Sequence, residues 1–369
     1  MKNILVTLLI LAVVGGGLAW TGWSWYQRFL AEPLTLDADQ AILVVPPGST
    51  LRSVAHELAD RRWISSRFLF MMLAYQTKQQ NAIKAGEYAI ENGTRPPGLL
   101  ALLASGRSIQ FPVTLVPGTT FHEALKTIAD VGVFQRELAG LSDQQIATRI
   151  GIDGEHSEGW LFPDTYHFGR GTADIEILKR AHRRMQQVLA EEWDQRSDAL
   201  PLSTPYEALI MASIVEKETG LAAERPQIAA VFLHRLEKGM KLQTDPTVIY
   251  GLGDSFDGNL RRGDLEAPTP YNTYVNKGLP PTPIALPGRE AIHAVLHPAA
   301  TQALYFVARG DGSHHFSATL DEHNCAVRYY QLKRPCARYR LAAVKEAATT
   351  PEDHGGAAAG ATAAESKSQ

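Results

Sequence analysis

Only two of the 369 residues are cysteine, too few for a disulfide-built scaffold or a cysteine-rich zinc module. Lysine and arginine number 36 against 39 acidic residues, a formal net charge of −3. That balance leaves no basic excess to displace counterions from phosphates, so no nucleic-acid partner is expected. Mean hydropathy is −0.15 and only one long apolar run occurs, which excludes a polytopic membrane protein. Neither HExxH nor CxxC is present, removing the common signatures of zinc hydrolases and dithiol redox enzymes. What remains is a chain with 45% hydrophobic and 20% charged residues, able to bury a core and long enough for two or three domains.

The one apolar run lies at the amino terminus. No charged residue occurs from Ile4 to Tyr26, with Lys2 before and Arg28 and Glu32 after. At 1.5 Å per residue it spans about 35 Å, enough for a bilayer core of about 30 Å. Trp20, Trp23, Trp25 and Tyr26 crowd its far end, where amphipathic rings suit a membrane interface. Gly17-Leu18-Ala19 resembles a signal-peptidase site, but the apolar character continues beyond it, which favours a retained anchor. Either reading exports the bulk of the chain. The expected location is the bacterial inner membrane, single-pass, with the folded part in the periplasm. Cys325 and Cys336 both fall in that exported part, where an oxidising compartment permits a disulfide; spacing alone leaves a bridge and two free thiols equally open.

Residues 32–39 read as a juxtamembrane linker. A β-like run, Ala41-Ile42-Leu43-Val44-Val45, then leads through Pro46-Pro47-Gly48 to Ser49 or Thr50, an N-cap for a helix with Leu51, Val54, Ala55 and Leu58 on one face. The same order returns 70 residues on. Val113-Thr114-Leu115-Val116 and Pro117-Gly118 precede Thr119-Thr120, then Phe121, Ala124, Leu125 and Ile128. Two copies of strand, turn and capped helix stand equally well as a duplication or as common turn chemistry. Helix-like stretches at 63–77 and 99–104 and a strand at 84–90 complete a small α+β region. Past Arg340 the chain is rich in Ala, Gly, Thr and Glu, a composition expected to be disordered.

The most informative window is 203–220. Thr204-Pro205-Tyr206-Glu207 is a capping box with proline at the first helical position, and Gly220 marks the stop. Glu216, Lys217 and Glu218 fill the last turn, where the helix end carries partial negative charge. A carboxyl placed there and partly desolvated favours its protonated form, which suits a general acid near neutral pH. Glu216 and Glu218 lie about 200° apart around a helix and cannot both face one cleft. Pattern alone does not choose between them, and both could be solvated helix-end glutamates beside Lys217. Downstream, stretches 242–251, 267–274 and 278–284 read as polar, aromatic, proline-stiffened loops, a surface type that binds sugar polymers. His293 and His297 at i, i+4, with His314, His315 and His323, raise a metallohydrolase alternative. Capping or hydrogen-bonding roles suit those histidines better, and no metal or cofactor is expected.

Ala212-Ser213-Ile214-Val215-Glu216-Lys217-Glu218-Thr219 resembles the signature of the bacterial endolytic murein transglycosylases, the MltG or YceG-like family. Glu158-Gly159-Trp160-Leu161-Phe162-Pro163-Asp164-Thr165-Tyr166 is similar to a second motif of that family. Matches continue in family order through the stretches at 242–250, 270–274 and 278–284, Leu286-Pro287-Gly288, His297-Pro298, His314-His315-Phe316-Ser317 and Glu322-His323-Asn324. The resemblance implies an α+β fold with a single N-terminal transmembrane helix, a small LysM-like α+β subdomain and a mixed α+β catalytic domain. The matching boundaries are 1–31 for the cytoplasmic start and anchor, 40–154 for the LysM-like part and connector, 155–340 for the catalytic domain and 341–369 for the tail. It implies Glu218 as the catalytic acid, with Gln243, Thr244, Asp245, Tyr271, Asn272, Tyr274, Glu158 and Tyr166 as candidates to bind or brace the substrate. It further implies peptidoglycan glycan strands as substrate, cut at MurNAc-β-1,4-GlcNAc bonds to leave 1,6-anhydroMurNAc ends, and proximity to the peptidoglycan synthases of the elongation machinery. A hydrolytic muramidase on the same scaffold, using Asp245 as second carboxylate, is the alternative, and a non-catalytic glycan-binding anchor is a further one.

Overall fold

The computed structural model describes residues 2–36, 38–152 and 156–336. The expected tail at 341–369 lies outside them. By its contacts the chain divides into one unit of residues 1–190 with 284–288 and a second of 191–283 with 289–369.

The first unit opens with α1 (Lys2–Ala31), whose segment Ile4–Ala31 is long and apolar enough to cross a membrane, an 18-residue stretch of it having mean hydropathy 2.3. Its side chains from Ile4 to Trp23 are exposed, but Tyr26 and Phe29 are buried. Tyr26 donates its hydroxyl to Gln76. Tyr26 is therefore a core residue rather than a member of the interfacial girdle; an aromatic at a helix exit serves packing as well as a membrane surface. The stretch read as a free linker is likewise pinned. Leu34 is buried, and its amide donates to the Thr94 carbonyl at 2.8 Å.

β1 (Gln40–Val45) runs into α2 (Leu51–Asp60), capped by a Thr50/Ser53 capping box. The turn between them passes through Gly48 at φ 81. α3 (Arg67–Gln76), β2 (Gly86–Glu91) and α4 (Pro96–Ser105) follow. β1 and β2 pair antiparallel, with Leu43 opposite Tyr88, and both side chains are fully enclosed. The second copy of the pattern is β3 (Phe111–Thr114) and α5 (Phe121–Ala129), with Gly118 at φ 79 and a Thr120/Glu123 capping box. α6 (Asp143–Ile150), β4 (Thr165–Phe168) and α7 (Asp174–Asp194) close over it. β4 pairs antiparallel with β3, and Val113, Ile128, Leu161, Phe168 and Leu178 share one core with Leu286. That pairing and core carry residues 156–190 with the first unit, whereas the motif-based boundary falls at 154/155.

The second unit is built on α8 (Pro205–Glu218), in which all of Ala208–Val215 are buried. A helix apolar all round belongs inside a protein. α9 (Arg225–Glu237) packs against it after a short 3-10 turn, Ala222–Glu224. The stretch read as loop at 242–251 is instead mostly α10 (Asp245–Leu252). Pro246 in its first turn is a helix-start signal, its missing N–H costing nothing there. α11 (Arg262–Glu266) precedes an irregular segment to residue 283, and α12 (Arg289–Leu296) packs along both α8 and α9. β5 (Tyr305–Ala308) and β6 (His314–Ser317) form a hairpin through Gly310 and Gly312, both at positive φ, and α13 (Leu320–Tyr330) covers it. Cys325 and Cys336 are joined by a disulfide with Cα atoms 5.6 Å apart. The class is mixed α+β.

Candidate active site

A cavity of about 380 Å³ opens in the second unit, lined by Glu218, Arg235, Leu242, Gln243, Asp245, Tyr274, Phe306, Val307, Ala308, His314, His323, Val327 and Gln331. Its acid comes from α8. That helix is enclosed from Ala208 to Val215, and its last residue lines the cavity. Thr219 then turns extended, at φ −145 and ψ 135, and ends the helix. The two acids of the last turn separate as their spacing requires. Glu216 meets Arg225 at 3.4 Å, whereas Glu218 accepts the hydroxyl of the enclosed Thr244.

Burial pushes the Glu218 carboxyl above its ordinary value. Thr244's hydrogen bond opposes that shift, the charge of Asp245 adds to it, and His314 and Arg235 oppose it more weakly. The dominant cause is desolvation, which favours the neutral acid.

The loop before α10 is held in an unusual shape. Gln243 adopts a left-handed backbone at φ 54, a conformation that costs a non-glycine residue free energy and is kept where surroundings impose it. Those surroundings are hydrogen bonds. The Gln243 amide donates to Thr273 O at 3.2 Å and the Thr244 amide to Thr273 Oγ1 at 3.1 Å, while the Thr247 and Thr273 hydroxyls meet at 2.8 Å. Tyr274 donates to Asp245 Oδ1 at 2.6 Å. Burial and that neighbouring carboxylate raise the phenol, keeping it a neutral donor.

Arg235 was not visible as a site residue from sequence, where a basic residue in the last turn of a helix reads as a dipole complement. It is buried, and its guanidinium reaches Leu304 O at 2.7 Å, Leu242 O at 2.8 Å and, at 3.3 Å each, Lys241 O and Gln243 Oε1. It thereby ties α9 to the Gln243 loop and to the start of β5. Strand alternation sets Phe306 and Ala308 on the face that also carries His314. Glu224 fixes His314 twice, accepting its amide at 2.9 Å and meeting its Nδ1 at 2.7 Å. His323 stacks on Tyr305, and its buried Nδ1 has no hydrogen-bond partner. The five-histidine grouping does not form: His314 belongs to Glu224, His315 lies against Tyr330 and His323 against Tyr305.

Of the residues singled out from sequence, Glu218, Gln243, Asp245 and Tyr274 line the cavity, and Thr244 supports its acid from behind. Tyr271 stands one step back, its hydroxyl 2.9 Å from Thr282 Oγ1 and its ring against Tyr250. Asn272 is fully enclosed. Its amide nitrogen donates to the carbonyls of Asp264, Leu265 and Ala267, and its oxygen accepts the Tyr274 amide at 2.9 Å. This spends the side chain on shaping the loop rather than on presenting an amide to a ligand. Glu158 and Tyr166 belong to the first unit. Glu158 Oε1 accepts the Phe121 amide at 2.8 Å, and Tyr166 donates to Phe162 O at 2.7 Å beneath the Arg180 guanidinium. Both brace local structure there.

The mixed α+β scaffold thus presents one desolvated carboxyl, Glu218, to a cavity lined by polar and aromatic side chains. The profile of the YceG-like family matches residues 43–329, and the chain belongs to that family. The endolytic murein transglycosylase of Bacillus subtilis is 32% identical over 325 residues, covering 83% of this chain and 89% of that protein. The endolytic murein transglycosylase of Streptococcus pneumoniae serotype 2 is 27% identical over 354 residues. That match covers 86% of this chain but only 63% of the longer pneumococcal protein. A crystal structure of a yceG-like protein from Listeria monocytogenes aligns with a TM-score of 0.49 at 27% identity, over 78% of this chain and 98% of that one.

Proposed function

We propose that this chain is an endolytic lytic transglycosylase that cleaves MurNAc-β-1,4-GlcNAc bonds in peptidoglycan strands and leaves 1,6-anhydroMurNAc ends. The observation carrying this reading is the half-buried Glu218 at the cavity mouth of α8, its neutral form favoured by desolvation; kinship with the Bacillus and pneumococcal enzymes supports it. Glu218 protonates the glycosidic oxygen. The substrate's own acetamide supports the oxocarbenium-like centre, so no second enzyme carboxylate is needed. The resulting carboxylate then takes the proton from the muramoyl C6 hydroxyl as that oxygen attacks C1. One residue acts as acid and then base, which calls for a carboxyl poised between the two states. Thr244 stabilises the anion once formed, and the desolvating walls favour the acid before it.

Gln243, Tyr274 and His323 are the groups we assign to sugar hydroxyls and acetamide, with Tyr271 and Asn272 fixing the loop that presents them. Glu158 and Tyr166 hold the first unit, which we assign, with its strand–turn–helix copies, to gripping glycan in the manner of a LysM-like module. α1 anchors the protein in the inner membrane with the cavity on the periplasmic side, beside the synthases of the elongation machinery, where cleavage ends nascent strand growth.

Asp245 lines the same cavity as Glu218, so a hydrolytic muramidase is the one competing chemistry the site supports. Mass spectrometry of products from defined nascent glycan separates the two, because an anhydro end is lighter than a reducing end by one water. Anhydro ends support transglycosylation; reducing ends as the primary product refute it.

A further inference from the structure

Away from the cavity, His293 in the last turn of α12 and His297, the residue just past its end, lie one turn apart. The helical hydrogen bond from the His297 amide to His293 O, 2.8 Å, persists despite the following proline. The two rings therefore stay on one helix face, centroids 4.3 Å apart. Facing them from the carboxyl end of α7 is Glu192, whose carboxylate is almost wholly enclosed. Its Oε2 lies 2.8 Å from His293 Nδ1, and its Oε1 accepts Arg289 Nη1 at 2.8 Å. Arg289 also pairs with Glu191.

We propose that Glu192, His293 and His297 form a transition-metal site of the Zn²⁺ class that staples the end of α7 to α12. One ligand atom from each of the three lies within 4.8 Å of the others. A tetrahedral ion at about 2.0–2.1 Å from each ligand needs them about 3.3 Å apart. The Glu192–His293 pair, hydrogen-bonded at 2.8 Å, would open by about 0.5 Å to admit the ion in place of the shared proton, and the wider separations within the trio would close to the same spacing. The donor set, two imidazoles and a carboxylate, is the borderline-soft combination that selects Zn²⁺ or its neighbours over Mg²⁺ and Ca²⁺. Arg289 supports the site rather than occupying it. It holds Oε1, leaving Oε2 turned to the histidines, as carboxylate ligands are typically oriented by an outer partner. A cavity of about 340 Å³ bordered by Glu192, Arg289, Glu290 and His293 leaves room for a water as fourth ligand. Because α12 packs on α8 and α9, occupancy would stiffen the second unit without touching Glu218. The site is thus a structural staple, independent of the proposed reaction.

The test is calorimetric titration of the full-length protein in detergent, freed of metal, with ZnCl₂. One Zn²⁺ per chain is expected, with affinity falling at least about tenfold in His293→Ala and in His297→Ala, each removing one of three ligands. His323→Phe, which alters the catalytic cavity, should leave the titration unchanged. An excess of MgCl₂ should not compete. Zn²⁺ should also raise the melting temperature by mass action, and His297→Ala, folded normally in chelator, should lose that rise. Absence of stoichiometric binding at micromolar Zn²⁺, or binding that survives both histidine substitutions, would overturn the proposal.

Discussion

Thr244→Val isolates the hydrogen bond on the proposed acid. Thr244 is buried, its hydroxyl serves Glu218, and its backbone amide and carbonyl keep their partners on Thr273 and Thr247 in the variant. Valine matches its volume, so the perturbation is the loss of one donor to a carboxylate. Such a bond to a charged group is worth about 1.5–3 kcal/mol net, at least about tenfold in the balance between acid and anion. The bond favours the anion, so its loss favours the protonated form. The reaction begins with protonated Glu218, and kcat/KM therefore falls on the alkaline side as Glu218 ionises. In Thr244→Val that alkaline limb should move to higher pH. Asp245→Asn should move it the other way, because Asp245 raises Glu218 by charge repulsion. That displacement should be smaller, since Asp245 is exposed and water and salt screen its field. The assay is initial-rate release of soluble product from defined glycan across pH, with folding checked by circular dichroism. Limbs that move together, or that stay still in both variants, would refute the assignment of the limb to Glu218.

Glu218→Gln should also stabilise the fold at neutral pH. Glu218 is raised above its ordinary value, so between the two values the folded state holds the extra proton and stability falls as pH rises. Glutamine removes that loss, and the melting-temperature gain should appear above the ordinary glutamate range and vanish on acidification below it; a gain independent of pH would contradict the sign. Arg235→Met leaves the carbonyls of Leu304 and Leu242 without their charged donor, and two good bonds of this kind imply a loss of about 3–5 kcal/mol. Urea denaturation should show it, with unfolding and activity loss together. Cys325→Ser with Cys336→Ser opens a loop whose closure is worth up to about 3 kcal/mol. Because α13 also carries His323 and the cavity-lining Val327, the double variant should melt earlier and bind glycan more weakly than the oxidised parent.

The sequence made the helices with strong ends legible. Thr204 with Pro205 marked the start of α8 and Gly220 its stop, and Ser49-Thr50 and Thr119-Thr120 each announced a capped helix after a glycine turn. These are local signals, written in residues within four positions of one another. The cavity is only half legible for the opposite reason. Glu218 and the Gln243-Thr244-Asp245 stretch lie on different elements, and their meeting depends on how α8, α10 and the segment at 271–274 pack. Arg235 resembles an ordinary helix-end cation until β5 and the Gln243 loop are seen to close around it. α10 was hidden because Pro246 reads as a loop residue unless it falls in a first helical turn. Asn272 looked like a ligand group because an amide beside two tyrosines suits sugars; its partners are carbonyls of its own loop. Tyr26 looked interfacial because the apolar run does not reveal that its last turns are claimed by the core beneath α3.

The central claim rests on one carboxyl. Wild-type protein and Glu218→Gln, incubated side by side with nascent uncrosslinked glycan and analysed by mass spectrometry, test it most directly. Wild type should yield internal cuts ending in 1,6-anhydroMurNAc, and the variant, equally folded, should yield none above background. Substantial anhydro product from Glu218→Gln would contradict the assignment.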